Sequence, residues 1–344
     1  MTKLVFITQQ VDPGHPALAA TVPKIRALAD LVDEVVVLAD GAVEGVLPEN
    51  CRVRTFRADH KALRGARFEA ALTRELSGLR GGAVVAHMSP IYAVLAAPFV
   101  RPLRIPLVLW FTHWRASGLL RAAERVSTAV TSVDYRSFPL PSKKLRAIGH
   151  GIDLDEFPCS PAREGSGMRL LALGRYSTAK GLDVAVAAVP LAGPDVELHV
   201  YGPALSDEER AHRAELEQLV AELELDGRVT IGDPVPRAEI PALLATHDAL
   251  VNNMRAGAPD KVVYEAAAAC RPVLASNPIF DALLDPEQRF ARWDPRALAE
   301  RIGVLTDMTP AARTALGHRL RERVAEGHSV QSWARGILDA ARIS

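Results

Sequence analysis

The stretch that most constrains the fold runs from Ala249 to Ser276, ALVNNMRAGAPDKVVYEAAAACRPVLAS. Ala249 to Asn253 is a short apolar run ending in polar residues, as a strand entering a loop would be. Pro259 suits a first helical position, where its missing N–H costs nothing. The alanines at 266 to 269 favour helix, and Arg271-Pro272 should end it, because proline disfavours a helical residue before it. Pro272 to Ser276 is the next strand. In such a strand-loop-helix-strand unit the first helical turn carries unpaired N–H groups and a partial positive charge suited to a phosphate.

The same alternation fills the chain. In the first half, apolar runs at Leu4–Thr8, Val35–Leu38, Val84–His87, Pro106–Phe111, Val130–Ser132 and Leu145–Gly149 read as strands. Helical stretches lie before Leu31, from about Pro90, and up to Val126. The second half restarts at Met168–Gly174 and continues through strands at Glu197–Gly202 and Val229–Gly232, with a charged helix from Ser206 to Leu225 between them. Helices at Pro295–Thr306, Ala311–Glu326 and Ser329–Ile343 close the chain. The pattern predicts two doubly wound, Rossmann-like α/β domains facing a cleft. The expected boundaries are 1–157 for the first domain, 158–327 for the second and 328–344 for a terminal helix. Pro158 to Gly167, rich in Pro, Gly and Ser, is the expected linker.

Composition narrows the classes. Forty-one basic and forty-one acidic side chains cancel, so no global field draws the chain to nucleic acid. Cys51, Cys159 and Cys270 show neither paired spacing nor a metal-ligand pattern, which suits a reducing compartment and no zinc. No secretory signal precedes the first strand. The longest apolar run, Ile91–Val100, is far short of a bilayer span. A cytoplasmic protein is expected, with peripheral contact to the inner membrane face as an option. That option rests on Cys51 to Arg80, where eight Lys or Arg against three Asp or Glu give +5. A solvated helix face explains the same residues.

Several positions are candidates for chemistry. Gly14, in the loop QQVDPGHPA after the first strand, can bring backbone close to a substrate, although a plain turn has the same composition. His113 follows a strand end, where open α/β sheets place ligands, and structural histidines also occur there. Arg175 and Lys180, in a strand-to-helix loop, can both reach one anion above the helix. Lys261 and Glu265 are spaced for an i,i+4 pair, a structural role open beside any functional one. Asp153 and Asp155 form an Asp-x-Asp pattern, but in a junction turn, and no metal site is assigned to them.

Taken together, three strings resemble retaining family 4 glycosyltransferases of the GT-B type. LALGRYSTAKGLDVAVAA is similar to the family's Gly-Arg…Lys-Gly motif, GHGIDLDEF to its junction signature, and Glu265-Ala266 with Pro272-Val273 to its donor segment. The resemblance implies a metal-independent transferase that uses a nucleotide sugar, UDP- or GDP-linked, and needs no cofactor. Its acceptor would be a glycan, a lipid-linked or a small molecule. It implies that Arg175 and Lys180 stabilise the leaving diphosphate, His113 holds a sugar hydroxyl, and Glu265 receives the ribose hydroxyls. The loop at Asp233 to Val235 would lie by the nucleobase. Two positions depart from the family: Gly257 stands where it has a glutamate, and Cys270 where it has a glycine. Asp260, or backbone at Asp260, Lys261 and Val262, would then replace the missing carboxylate. A non-catalytic nucleotide-sugar-binding subunit and a sugar-nucleotide 2-epimerase remain alternative readings.

Overall fold

The computed structural model describes residues 2–15, 18–79, 81–163 and 166–343. Pro16 and Ala17 of the first loop, Arg80 of the basic stretch, and Glu164 and Gly165 of the expected linker lie outside the described residues. Two compact units are present: residues up to Asp153 together with those from Gly327 onward, and Leu154 to Glu326.

The first unit contains seven strands, β1 (Lys3–Val11), β2 (Glu34–Ala42), β3 (Cys51–Thr55), β4 (Ala83–His87), β5 (Leu107–Trp110), β6 (Ala129–Ser132) and β7 (Leu145–Ala147). They pair in parallel in the order β3-β2-β1-β4-β5-β6-β7. The helices α1 (Thr21–Ala29), α2 (Lys61–Leu76), α3 (Pro90–Val100) and α4 (Gly118–Val126) connect them. Leu4 to Ile7 and Val35 to Leu38 are fully buried, as expected of strands covered on both faces.

The second unit repeats the plan with β8 (Met168–Leu173), β9 (Val196–Tyr201), β10 (Val229–Gly232), β11 (Ala249–Asn252) and β12 (Val273–Ala275), in the order β10-β9-β8-β11-β12. Its helices are α5 (Leu182–Ala192), α6 (Asp207–Glu222), α7 (Ile240–Ala245), α8 (Lys261–Ala268), α9 (Pro295–Asp307) and α10 (Pro310–Gly327). The last helix, α11 (Val330–Ala341), packs on α1, β5 and β6 of the first unit, with Trp333 fully buried.

The structure corrects the sequence reading at three places. Cys51 to Thr55 is an edge strand rather than the start of a helix, since the run pairs in parallel with β2. The basic stretch that begins there is partly neutralised. Glu75, buried on α2, takes Lys3 at 2.7 Å and also Arg54, and Arg52 pairs with Glu34. Burial alone would raise the Glu75 carboxyl, but hydrogen bonds from Lys3 and Arg54 hold it below its ordinary value.

Helix α8 begins at Lys261, within the expected start at Pro259 to Lys261, but ends at Ala268, inside the alanine run expected to continue it. Asp260 is its N-cap, so Pro259 precedes the helix instead of opening it. At the other end Cys270 N–H donates to the Ala267 carbonyl and Arg271 N–H to the Ala266 carbonyl, a Schellman closure around a left-handed residue. Cys270 is that residue, with φ of 59°. The position where the resemblance calls for glycine is therefore one whose backbone favours glycine.

Cys270 is also joined by a disulfide to Cys159, their Cα atoms 5.0 Å apart across 111 residues of sequence. The expectation of unpaired cysteines is overturned, because so long a separation leaves no spacing signal, and the cysteines no longer argue for a reducing compartment. The His318 Nδ1 lies 3.6 Å from the Cys270 sulfur. Among the described residues no helix is long and apolar enough to cross a membrane.

Candidate active site

In an open parallel sheet, ligands bind beyond the carboxyl ends of the strands where the winding direction reverses. In the second unit that point lies between β8 and β11, because β9 and β10 lie on one side and β12 on the other. The loops leaving β8 and β11 carry Lys180 and Asp260. The Lys180 ammonium donates to a carboxylate oxygen of Asp260 and, at 3.2 Å, to the Leu173 carbonyl. The same Asp260 oxygen accepts from the Asn252 amide at 2.7 Å. Gly174 makes this possible, since a Cβ there would meet the Lys180 ammonium and Cε within 2.6 Å.

Backbone ties hold the two loops together. Gly181, left-handed at φ 56°, accepts at its carbonyl from the Asn253 amide at 3.1 Å, and a Cβ at Gly181 would strike that amide. The Ala179 carbonyl accepts from Arg255 N–H at 3.0 Å and from Arg292 at 3.1 Å. Asn277 pins the Arg255 and Ala258 carbonyls at 2.8 and 2.9 Å. The loops are thus fixed by amide and guanidinium groups whose sequence positions carry no separate motif.

Glu265 lies one helical turn beyond Lys261 and is 3% exposed. Its Oε1 accepts from Lys261 at 3.2 Å and from Arg237 at 2.8 Å. Arg237 also reaches Glu156. Burial by itself would lower the Arg237 pKa, and the Glu265 and Glu156 carboxylates more than offset it, so the guanidinium stays charged. Sequence reasoning missed Arg237, although it lies two residues past the half-buried Val235 in the loop expected beside a nucleobase. A lone arginine in DPVPRAEI gave no signal. Val262 and Lys261 are half-buried in the first turn of α8.

Arg175 is placed differently from Lys180. It is more than half exposed and pairs at 2.7 Å with Glu209 of α6. The two cations of this loop therefore hold different carboxylates, each taking the anion within reach. Gly257 is left-handed at φ 78°.

In the first unit the reversal lies between β1 and β4. The exposed Gly14 follows β1, its N–H closing a turn onto Asp12 at 2.8 Å. His113, past β5, is exposed and stacked on Trp114. Its Nδ1 accepts Arg115 N–H at 2.9 Å, which leaves the proton on Nε2. Partial burial, then the Arg115 charge, lower its pKa and keep it neutral.

The buried polar groups at this reversal are others. His87 ends β4, stacks on Trp110 and reaches Thr8 of β1 at 3.4 Å. Its Nε2 and the Ser89 hydroxyl are buried without a hydrogen-bond partner among the described residues. Burial, with Lys24 nearby, holds His87 neutral. The signal for His87 was available: a polar residue ending an apolar strand just before a helix that opens with Pro90.

Residues 167–307 match the family model described as "Glycosyl transferases group 1", so this portion is a domain of that group. No curated protein matches the chain. Among solved structures, Anabaena Alr3699/HepE in complex with UDP is 19% identical, covers 99% of each chain and has a TM-score of 0.77. A glycosyltransferase from Rickettsia africae is 12% identical over 99% of this chain and 98% of its own, with a TM-score of 0.76. Sucrose-phosphate synthase from Thermosynechococcus elongatus is 18% identical over 99% and 98%, with a TM-score of 0.71. The fold is that of GT-B glycosyltransferases, two parallel-sheet α/β domains.

Proposed function

We propose that this chain is a retaining glycosyltransferase that moves a hexose-type sugar from a nucleotide donor to a glycan, lipid-linked or small-molecule acceptor. The observation that carries the reading is the convergence of Lys180, Asn252 and Asp260 at the reversal of the second sheet, with Glu265 on the next helix turn, inside the segment that matches the group 1 family. Solved structures of this fold hold UDP or UDP-glucose, which makes uridine the first donor nucleotide to test.

Breaking the bond between the anomeric carbon and the diphosphate leaves negative charge on a phosphate oxygen. A fixed ammonium stabilises that charge more in the transition state than in the ground state. Lys180 is such a group: Asp260 and the Leu173 carbonyl hold it in place, and an entering phosphate shares it with Asp260. Arg175, exposed on the same loop, exchanges Glu209 for the phosphate. With two protein cations in this role the step runs without a metal.

Glu265 keeps its Oε2 outside the Arg237 and Lys261 contacts, available to ribose hydroxyls. His113 offers its Nε2–H to a sugar hydroxyl. Backbone at Asp260 and in the first turn of α8 takes the place of the family glutamate, while Gly14 and Val235 supply backbone and apolar contact to donor groups.

The test is incubation with UDP-, GDP-, ADP- and TDP-sugars in the presence of a chelator, following nucleotide release. Release from one donor is expected, and Arg175→Ala and Lys180→Ala should each lower turnover roughly a hundredfold or more. Turnover unchanged in both variants would overturn the reading. One observation favours a second reading, a binding subunit without transfer. Gly257 has a left-handed backbone on which a glutamate would be strained, so the loop differs in course as well as in side chain. Tight binding of a nucleotide sugar without release, even after glycan and lipid extracts are added, would select it.

A further inference from the structure

At the amino-terminal edge of the first sheet, opposite the ligand edge, a cavity of about 870 Å3 is lined by seven Lys or Arg residues and no carboxylate-bearing one. Helices α3, α4 and α11 all end here, and their carbonyl ends attract cations, each with roughly half a negative charge. Two of the seven serve that purpose. The Lys144 ammonium donates to the carbonyls of Glu124, Arg125 and Ser127 at 2.9, 3.2 and 3.0 Å, and Arg146 donates to the Asp339 carbonyl at 3.1 Å.

Five remain: Arg101, Arg104, Arg125, Lys143 and Arg342 are exposed, and none makes a side-chain hydrogen bond or ion pair among the described residues. Three helix ends offset about one and a half charges, so the cluster exceeds what the fold needs. Arg104 and Arg342 also adopt left-handed φ of 57° and 58°, a backbone suited to glycine, yet carry long cationic side chains to the same cavity. Planar guanidinium groups converging on one space match the oxygens of a phosphate.

We propose that this edge is a binding site for phosphate groups that together carry more than one negative charge, separate from the donor site. A second cavity of about 1000 Å3 shares Arg104, Ile105, Pro106, Ala341 and Arg342 with the first. Its walls include Phe99, Pro102, Leu103 and Ile343, and Leu103 is 58% exposed. If the phosphate belongs to a lipid head group, hydrocarbon lies along this groove; a free oligophosphate leaves the groove empty.

The test measures binding of inorganic tripolyphosphate by calorimetry, and co-sedimentation with phosphatidylcholine vesicles with and without phosphatidylglycerol, using the full chain. The main variant is the pair Arg104→Gly and Arg342→Gly, which removes two charges while easing both left-handed positions, so folding is preserved. The response at this edge should weaken by at least about tenfold in that variant, the loss expected of charge-assisted contacts, and should persist in Lys180→Ala, where only binding at the donor site weakens. A response to tripolyphosphate identifies a free phosphate as the source, and one confined to phosphatidylglycerol vesicles identifies a lipid. Binding to neither probe, binding unchanged in the double glycine variant, or binding lost only in Lys180→Ala would each overturn the proposal.

Discussion

A single residue, Cys270, joins three consequences of the chain's local chemistry. It occupies the left-handed position that closes α8, bonds to Cys159, and presents its carbonyl where Gly317 of α10 approaches so closely that a Cβ would overlap it. Replacing Cys159 by Ser removes only the disulfide and should cost about 2–4 kcal/mol of stability in the second unit. Cys270→Gly removes the same bond but relieves a backbone that a side chain occupies at a cost of about 1 kcal/mol or more, so it should be the less destabilised of the two. Denaturant midpoints without reductant would compare them. Equal loss in both variants would mean that the left-handed position is unstrained.

At the scale of elements, the buried His247 couples the corner between α7 and β11 to β9. Its Nδ1 lies 2.7 Å from the Leu243 carbonyl and so carries the proton, leaving Nε2 to accept from the His199 Nδ1–H at 3.0 Å. Burial, partly offset by the Leu243 contact, pushes the His247 pKa down to about 4. A histidine with a depressed folded pKa contributes nothing to pH dependence above the unfolded value near 6.5. Stability is lost as pH falls from there through about 4, because the unfolded chain takes up the proton first. The urea midpoint should therefore fall across that window, and fall less steeply in His247→Gln. Parallel profiles for the two proteins would show that other groups set the acid response. His87, buried beside Lys24, adds to the loss in the same direction.

At the scale of the whole molecule, the second unit's site is built from loops that hydrogen bonds tie together, so ligand binding should be read out as stability. UDP at about a hundred times its dissociation constant should stabilise the folded chain by about 2.7 kcal/mol. The shift should shrink in Lys180→Ala, which removes the ammonium, and in Glu265→Ala, which removes the carboxylate shared by Arg237 and Lys261. Equal stabilisation of all three proteins would place the nucleotide elsewhere.

The sequence by itself determined the parallel α/β class, because apolar strand runs separated by helices of short reach can be buried only between helical layers. It also singled out Lys180 and Asp260, whose loops follow strand ends directly, and Glu265 on the helix that follows, because their positions are set by local pattern. What only the tertiary structure decided depends on distance along the chain. Cys159 and Cys270 meet across 111 residues, and Arg237 reaches Glu265 across 28. Cys51 to Thr55 becomes a strand because β2 presents an open edge to it. Arg175 turns to Glu209 rather than toward Lys180, because α6 brings a buried carboxylate beside it. Local propensity acts within a few residues, whereas these contacts exist only once the sheets have assembled and brought distant side chains together.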